Sequence, residues 1–293
     1  MRVEDKIYQK KETVDRELER ILPSEDTILF KAMRYAVLSG GKRFRPILVL
    51  SSGESFGVSQ TILLPFACAI ELIHNYSLIH DDLPSMDNDD FRRGRPSCHK
   101  AYGEAVALLV GDGLLTLAFK VLAQASLEEE LLERKNQIIL EVGKLAGIDG
   151  MIAGQFMDIT LSPEEITEEE FEELIFKKTA ALFIASVKVG AILGKASPPE
   201  LNAIVEYGRN LGLAFQIRDD ILDSASQSQK QQSPQLNYVT LFGLEKAERN
   251  LRNLVNKTQK TLDEASLESD ELRYLASKLL DIGSESRDEQ NSR

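Results

Sequence analysis

The sequence predicts an all-α protein, a single large bundle of about ten helices. Three observations carry that reading. Apolar residues recur at helical spacing almost throughout the 293 residues, and no convincing alternating strand interrupts them. Gly (18) and Pro (9) are too sparse for a turn-rich β architecture. Trp is absent, and 43% hydrophobic with 28% charged residues is ordinary for a folded globular chain.

In order along the chain, periodicity predicts helices over residues 3–21, 24–38, 46–56, 60–79, 100–125, 128–146, 167–193, 200–222 and 238–264. A shorter helix follows Glu268. Gly40 and Gly41, after Ser39, stop the second helix, and Pro46 opens the third at a favoured first-turn position. Ser162 with Pro163, and Ser197 with Pro198 and Pro199, punctuate in the same way. No shift in composition is long enough to be a linker, so residues 1–283 are expected to form one domain. Order signals are missing from the Ser- and Gln-rich segment 224–236 and from the polar tail 284–293. There is no solenoid-type repeat.

The net charge of −12, from 47 acidic and 35 basic residues, argues against nucleic acid or an anionic membrane as the main partner. An anionic small substrate stays open, because local basic clusters override the global sign. Cys68 and Cys98 provide neither a disulfide framework nor metal-ligand spacing, which fits a reducing cytoplasm. The charged N-terminal residues contain no apolar signal-peptide core. The longest apolar stretch, 62–73, holds Pro65 and Glu71 and is too short to span a bilayer, so no membrane insertion is expected.

Where the aspartates fall points to chemistry. In IHDDLPSMDNDDFRRGRP, Asp81, Asp82 and Asp87 follow an apolar helix, with Asp89 and Asp90 behind them. In LAFQIRDDILDS, Asp219, Asp220 and Asp223 sit inside one. Asp219 and Asp223, four apart, share a helix face, and Gln216 lies close to it. Like charges at that spacing repel by a few tenths of a kcal/mol even when exposed, and more when buried. A hard divalent cation is the natural partner, since Mg²⁺ prefers carboxylate oxygens and completes its shell with water and substrate phosphate. Pro84 should end the first helix, so that the chain loops and returns Asp87 beside Asp81. Either cluster alone also fits a solvated acidic face; two of them in apolar surroundings fit it poorly.

The basic residues indicate what the metal would hold. Gly40 to Pro46 (GGKRFRP) places Lys42, Arg43 and Arg45 in a glycine-opened turn, and Arg92-Arg93-Gly94 follows the first aspartate cluster. Guanidinium forks match phosphate oxygens in a bidentate way, and Lys adds a point charge. A diphosphate held between metal and guanidinium is the chemistry these clusters suggest, although a surface turn also accounts for Lys42 to Arg45 alone.

Together the motifs closely resemble the trans-isoprenyl diphosphate synthase (polyprenyl synthetase) family, nearest its bacterial short-chain farnesyl diphosphate synthases, from about Ser24 to about Glu248. The family's two aspartate-rich motifs appear as DDLPSMD (81–87) and DDILD (219–223). Its GGKRxRP element appears at 40–46 and its RRG at 92–94, and GDGLL (111–115), GMIAGQFMD (150–158) and KTAALF (178–183) also look like family segments. The resemblance implies helices around a central catalytic cavity, a homodimer, and about three Mg²⁺ per site on Asp81, Asp82, Asp87, Asp219, Asp220 and Asp223; Mn²⁺ is an acceptable substitute. It implies that Gly41, Lys42, Arg45, His74 and Arg93 bind isopentenyl diphosphate. Arg92, Lys178 and the metal would bind the allylic diphosphate, while Thr179 and Gln216 place oxygen dipoles near the carbocation. From the sequence alone, His74 reads more simply as a satisfied helix histidine.

The resemblance also bears on product length. Tyr76 and Ser77 stand five and four residues before Asp81, about one helical turn from it. In related synthases an aromatic at the fifth position goes with a C15 product; a C20 product, geranylgeranyl diphosphate, is the alternative. One region departs from the pattern: after DDILD the loop is short, Gln235 stands where a second lysine is expected, and Lys230 aligns insecurely. That departure keeps open a degenerate, regulatory subunit. A class I terpene cyclase would carry an Asn/Ser/Glu pattern in place of DDILD.

Overall fold

The computed structural model describes residues 1–162, 164–226 and 236–281. Pro163, Lys230, Gln235, most of the Ser/Gln-rich segment and the tail 284–293 fall outside the described residues. The chain forms two compact units, one of Met1–Glu141 with Val189–Lys195, the other of Val142–Lys188 with Ala196–Arg293.

The first unit contains α1 (Val3–Ile21), α2 (Ile28–Leu38), α3 (Phe44–Ser55) and α4 (Gln60–Asp81). It continues with a two-residue antiparallel pair, β1 (Phe91–Arg92) with β2 (Arg95–Pro96), then α5 (Cys98–Tyr102), α6 (Glu104–Gln124) and the start of α7 (Leu132–Ala146). Its centre is α4, which packs against α1, α3 and α6. The reason is compositional: before its terminal Asp81, Glu71 is the helix's one charged residue, and Leu63, Phe66, Ile70, Leu72 and Ile73 are all fully buried.

The second unit holds the end of α7, then α8 (Met151–Thr160) and α9 (Glu168–Ile175). A π turn (Phe176–Ala180) leads into α10 (Ala181–Leu193), whose residues from Val189 on count with the first unit, followed by α11 (Pro198–Ser226), α12 (Tyr238–Phe242), α13 (Leu244–Glu264) and α14 (Asp270–Ser277). Its centre is α11, packed on α13, α12 and the π turn. Phe171, Tyr238 and Phe242 stack edge-on or tilted at 4.9–5.9 Å between ring centres.

The fold is all-α as expected, with local differences that have physical causes. The second helix starts at Ile28 because the Thr27 hydroxyl caps it, accepting from Phe30 N at 3.2 Å. The third begins at Phe44, so Pro46 lies inside the first turn, where no amide is needed. The 100–125 and 238–264 predictions each divide in two, at Gly103 (φ +89°, ψ 155°) and Gly243 (φ +87°, ψ 150°), a conformation essentially reserved for glycine. The 167–193 prediction is broken by the π turn, and α8 was not predicted at all: its ten residues are too few for a strong periodic signal.

α4 and α6 run further than the apolar stretch counted from sequence, and by length and hydropathy both meet the requirements of a membrane span. A core helix meets them too, and 67% of the α4 window is buried within the protein. α6 is 33% buried and exposes Leu108 and Leu109.

The two glycine hinges give a direct test. Nothing lies within 4 Å of a methyl group built at either position, so Ala there introduces backbone strain without a clash. Gly103→Ala and Gly243→Ala should each lower stability in urea unfolding by about 1–3 kcal/mol. A loss below about 0.5 kcal/mol, the scatter of ordinary surface changes, would mean the hinges relax freely.

Candidate active site

In the first unit the site is built on the C-terminal half of α4 and the segments packed against it. The helix ends at Asp81, and the following turns close back: Asp87 N donates to the Asp81 carbonyl at 2.9 Å, and Asn88 N to Leu83 O at 3.1 Å. Asp87 therefore returns beside Asp81, as the loop after Pro84 was expected to do. Asp81 is half-buried and Asp87 exposed, whereas Asp82 is buried. Arg92 holds Asp82, its Nε donating to Oδ1 at 2.9 Å and its Nη2 to the same oxygen, while Nη2 also reaches Asp89 at 3.0 Å. Burial pushes the Asp82 carboxyl up, with Arg92 pulling against it.

Seven residues before Asp81 on the same helix, His74 meets the glycine-opened turn. Arg45, buried, lies 3.3 Å from His74 Nε2 through its Nη1. Burial, then the charges of Arg45 and Arg93, hold His74 well below the usual imidazole range. The ring is neutral, so Nε2 accepts from Arg45. Lys42 is exposed at the mouth of the turn.

Arg43 is placed otherwise than its neighbours. It is 2% exposed, at φ +51°, and donates to Asp15 (2.7 Å), Glu71 (2.7 Å) and the Val37 carbonyl (2.6 Å). It is thus committed inward to the fold, not to a ligand. Removing one partner of the buried Arg43–Glu71 pair would leave an uncompensated charge, at a cost of about 3–5 kcal/mol.

Arg93 differs again. Its Nη1 donates to the Gly40 carbonyl at 2.7 Å and sits 3.4 Å from Asn75 Oδ1. The guanidinium lies over Gly41, where a methyl group would come within 2.9 Å of Cζ, so a side chain at 41 would displace it. These hydrogen-bond contacts of Arg93 are to neutral oxygens, and burial depresses its pKa against the pull of the nearby Glu71 charge. Tyr76, 6% exposed, stacks edge-to-face on His80 at 5.8 Å, and burial, reinforced by Asp81, pushes its hydroxyl up to about 12. Ser77 donates to the His74 carbonyl at 2.9 Å.

In the second unit, Lys178 and Thr179 lie in the π turn, a feature frequent at functional sites. Lys178 Nζ pairs with Asp158 Oδ2 at 2.5 Å. Gly154 lets α8 press on this turn; a methyl group there would fall 2.1 Å from Lys178 N. Thr179 Oγ1 donates to Gln216 Oε1 (2.8 Å), and Gln216 Nε2 donates to Asp220 Oδ1 (2.9 Å). Asp220 Oδ2 accepts from Tyr238 N at 2.7 Å, which ties α11 to the start of α12. Asp220 is buried; Asp219 keeps 41% of its side chain exposed and Asp223 is exposed.

The second aspartate of each adjacent pair, Asp82 and Asp220, is therefore engaged by protein donors, although sequence grouped both with the metal ligands. Sequence reasoning also gave no role to Glu71, Asn75 or Asp158. Glu71 did carry a signal, a lone acid in an apolar run, since such a residue is almost never buried unpaired.

The donor set suits Mg²⁺. Among the described residues no three carboxylate, His or Cys side chains group closely enough to cage an ion alone. Mg²⁺ takes one or two carboxylates and completes its shell from water and phosphate, which Asp81 with Asp87, and Asp219 with Asp223, can provide. Three residues before Asp158, the buried Gln155 Nε2 has no acceptor among the described residues.

Asp220 gives a pH prediction. Burial lifts its pKa to about 6, against the hydrogen bonds from Tyr238 and Gln216. A carboxyl whose folded pKa lies above its unfolded one contributes most below the unfolded value and loses that contribution as pH rises through about 6. Relative to Asp220→Asn, the wild-type chain should gain about 1.4 kcal/mol of stability as pH falls from roughly 7.5 to 5. Urea melts of both proteins at the two pH values test this; an unchanged difference would place the Asp220 pKa near its ordinary value.

With this geometry in hand, comparison with known proteins gives a consistent result. The model of the polyprenyl synthetase family matches residues 26–274. The chain is 40% identical over 283 residues to the farnesyl diphosphate synthase of Geobacillus stearothermophilus, covering 93% of this chain and 95% of that one. It is 41% identical over 274 residues to heterodimeric geranylgeranyl pyrophosphate synthase large subunit 2 of Arabidopsis thaliana, covering 89% of this chain and 72% of that one. The solved structure of a geranyltransferase from Legionella pneumophila superposes with a TM-score of 0.86 at 34% identity, covering 96% and 98% of the two chains. On its aspartate motifs, its helical fold and these matches, the chain belongs to the polyprenyl synthetase family.

Proposed function

We infer that the chain is a prenyltransferase that condenses isopentenyl diphosphate with dimethylallyl or geranyl diphosphate to give farnesyl diphosphate. The observation that carries this is the arrangement along α4. His74, with Arg45 on its Nε2, and Asp81, with Asp87 folded beside it, stand seven residues apart, about 10 Å of helix. One rigid element thus spaces a cationic anion-binding turn from a carboxylate pair, the two things a pair of diphosphate substrates requires.

In this reading Lys42, Arg45, His74 and Arg93 hold the diphosphate of isopentenyl diphosphate, with Gly41 allowing the close approach of Arg93. Asp81, Asp87, Asp219 and Asp223 hold Mg²⁺, while Asp82 and Asp220 fix the segments that present them. Bound Mg²⁺ supplies positive charge that neutralises the leaving diphosphate of the allylic substrate. Arg92, which keeps its contacts to Asp82, and Lys178, which exchanges Asp158 for a phosphate oxygen, bind that diphosphate. Thr179 donates a hydrogen bond to Gln216 Oε1, which leaves its oxygen lone pairs to stabilise a developing allylic cation. The C–O bond ionises, the isopentenyl double bond attacks the cation, and a proton leaves to the released diphosphate. No protein nucleophile takes part.

Residues 1–283 are taken as one catalytic domain, as a single family match running through both aspartate motifs supports. Leu108 and Leu109, exposed on the apolar α6, favour a homodimer. The chemistry and charge balance suit the cytoplasm. Tyr76, buried on α4 and braced by His80, stops the growing chain at C15.

Purified protein with isopentenyl diphosphate, geranyl diphosphate and Mg²⁺ should form a C15 diphosphate, and EDTA should abolish it. No product from folded protein would overturn the reading. Tyr76→Ala should shift the product toward C20, as gas chromatography of the dephosphorylated alcohols would show. A product that stays at C15 would remove Tyr76 as the stop.

A further inference from the structure

Three arginines near the glycine turn have different fates, and the difference points to a residue with no assigned role. Arg43 is neutralised by Asp15 and Glu71, and Arg92 by Asp82 and Asp89. Arg93 alone of the three contacts only neutral oxygens, the Gly40 carbonyl and Asn75 Oδ1. Asn75 is 2% exposed, and its orientation is fixed: Nδ2 donates to the Glu71 carbonyl at 2.8 Å and to Glu71 Oε1 at 3.2 Å. With the amide nitrogen committed there, the oxygen must face Arg93. Glu71 is fixed in turn by Arg43, which belongs to the turn that carries Lys42.

We propose that Asn75, oriented by Glu71, is a positioning residue for isopentenyl diphosphate, aiming the Arg93 guanidinium without cancelling its charge. The inference rests on the reading that Arg93 binds that substrate. A neutral acceptor is the chemistry the task demands. A carboxylate at 75 would hold Arg93 equally well but would compete with the incoming diphosphate, and an apolar side chain would leave the guanidinium free to swing. The Arg43–Glu71 pair adds a consequence: one buried network sets both Arg93 and the turn bearing Lys42, so the two cations keep a constant relation to each other.

The test is steady-state kinetics of Asn75→Leu and Asn75→Asp, with each substrate varied in turn, and calorimetric binding of isopentenyl diphosphate alone. Both variants should raise the KM for isopentenyl diphosphate roughly tenfold, the worth of one hydrogen bond to a charged group. The KM for geranyl diphosphate and kcat at saturation should change less than about twofold, a split that a merely structural role does not produce. If Asn75→Leu does not fold, Asn75→Ser, whose hydroxyl is too short to reach Arg93, takes its place with the same expectation. An unchanged isopentenyl diphosphate KM in a folded variant, or a parallel loss in both KM values and kcat that tracks lowered thermal stability, would overturn the proposal. Wild-type protein that binds no isopentenyl diphosphate would instead overturn the functional reading beneath it.

Discussion

The constraint on which the rest depends is the cost of carrying paired negative charges on apolar helices. α4 and α11 are the central helices of their units, and each bears adjacent aspartates at its working end. Both resolve the repulsion in one way. The second aspartate turns inward and is satisfied by protein donors, Arg92 for Asp82, and Gln216 with the Tyr238 amide for Asp220. The first keeps more of its surface outside. Burying both would require two desolvated charges to share one environment, which proteins tolerate only with full compensation. Dividing the pair leaves one aspartate projecting outward from a backbone that the inward one anchors.

The cations follow the same division. Arg43 is buried and neutralised, and through Glu71 it fixes the glycine turn to α4. Arg93 keeps its charge, held only by neutral oxygens. Some charges are thus committed to structure, and under the proposed function others, of both signs, would meet a Mg²⁺-diphosphate complex. Tyr76 belongs to the same helix, so under the proposed function α4 would link anion binding, metal binding and product length through its own rigidity.

Much of this was legible in the sequence because it is periodic or punctuated. The helical class follows from apolar spacing, and the return of Asp87 to Asp81 follows from Pro84 ending a helix. The two aspartate motifs and the glycine turn were visible as residue types at fixed separations. Less visible was anything that depends on which way a side chain points. Asp81 and Asp82 are identical letters, and only the fold turns one outward and one onto Arg92. Arg43, grouped from sequence with the phosphate-binding cations, faces inward onto Asp15 and Glu71 from a left-handed backbone. α8 escaped notice because it is short, and with it the Lys178–Asp158 pair. The splits at Gly103 and Gly243 interrupt patterns whose period continues on either side, so periodicity alone reads through them.

The central claim is that neither carboxylate pair binds metal well until a diphosphate completes the shell. Calorimetric titration of Mg²⁺ into the protein, with and without an allylic thiodiphosphate that cannot ionise, tests it directly. The account predicts Mg²⁺ affinity at least roughly tenfold higher with the diphosphate present, and loss of that gain in Asp81→Asn and Asp219→Asn. Equal affinity with and without the diphosphate would contradict it, since the carboxylates would then bind the metal as a self-sufficient site.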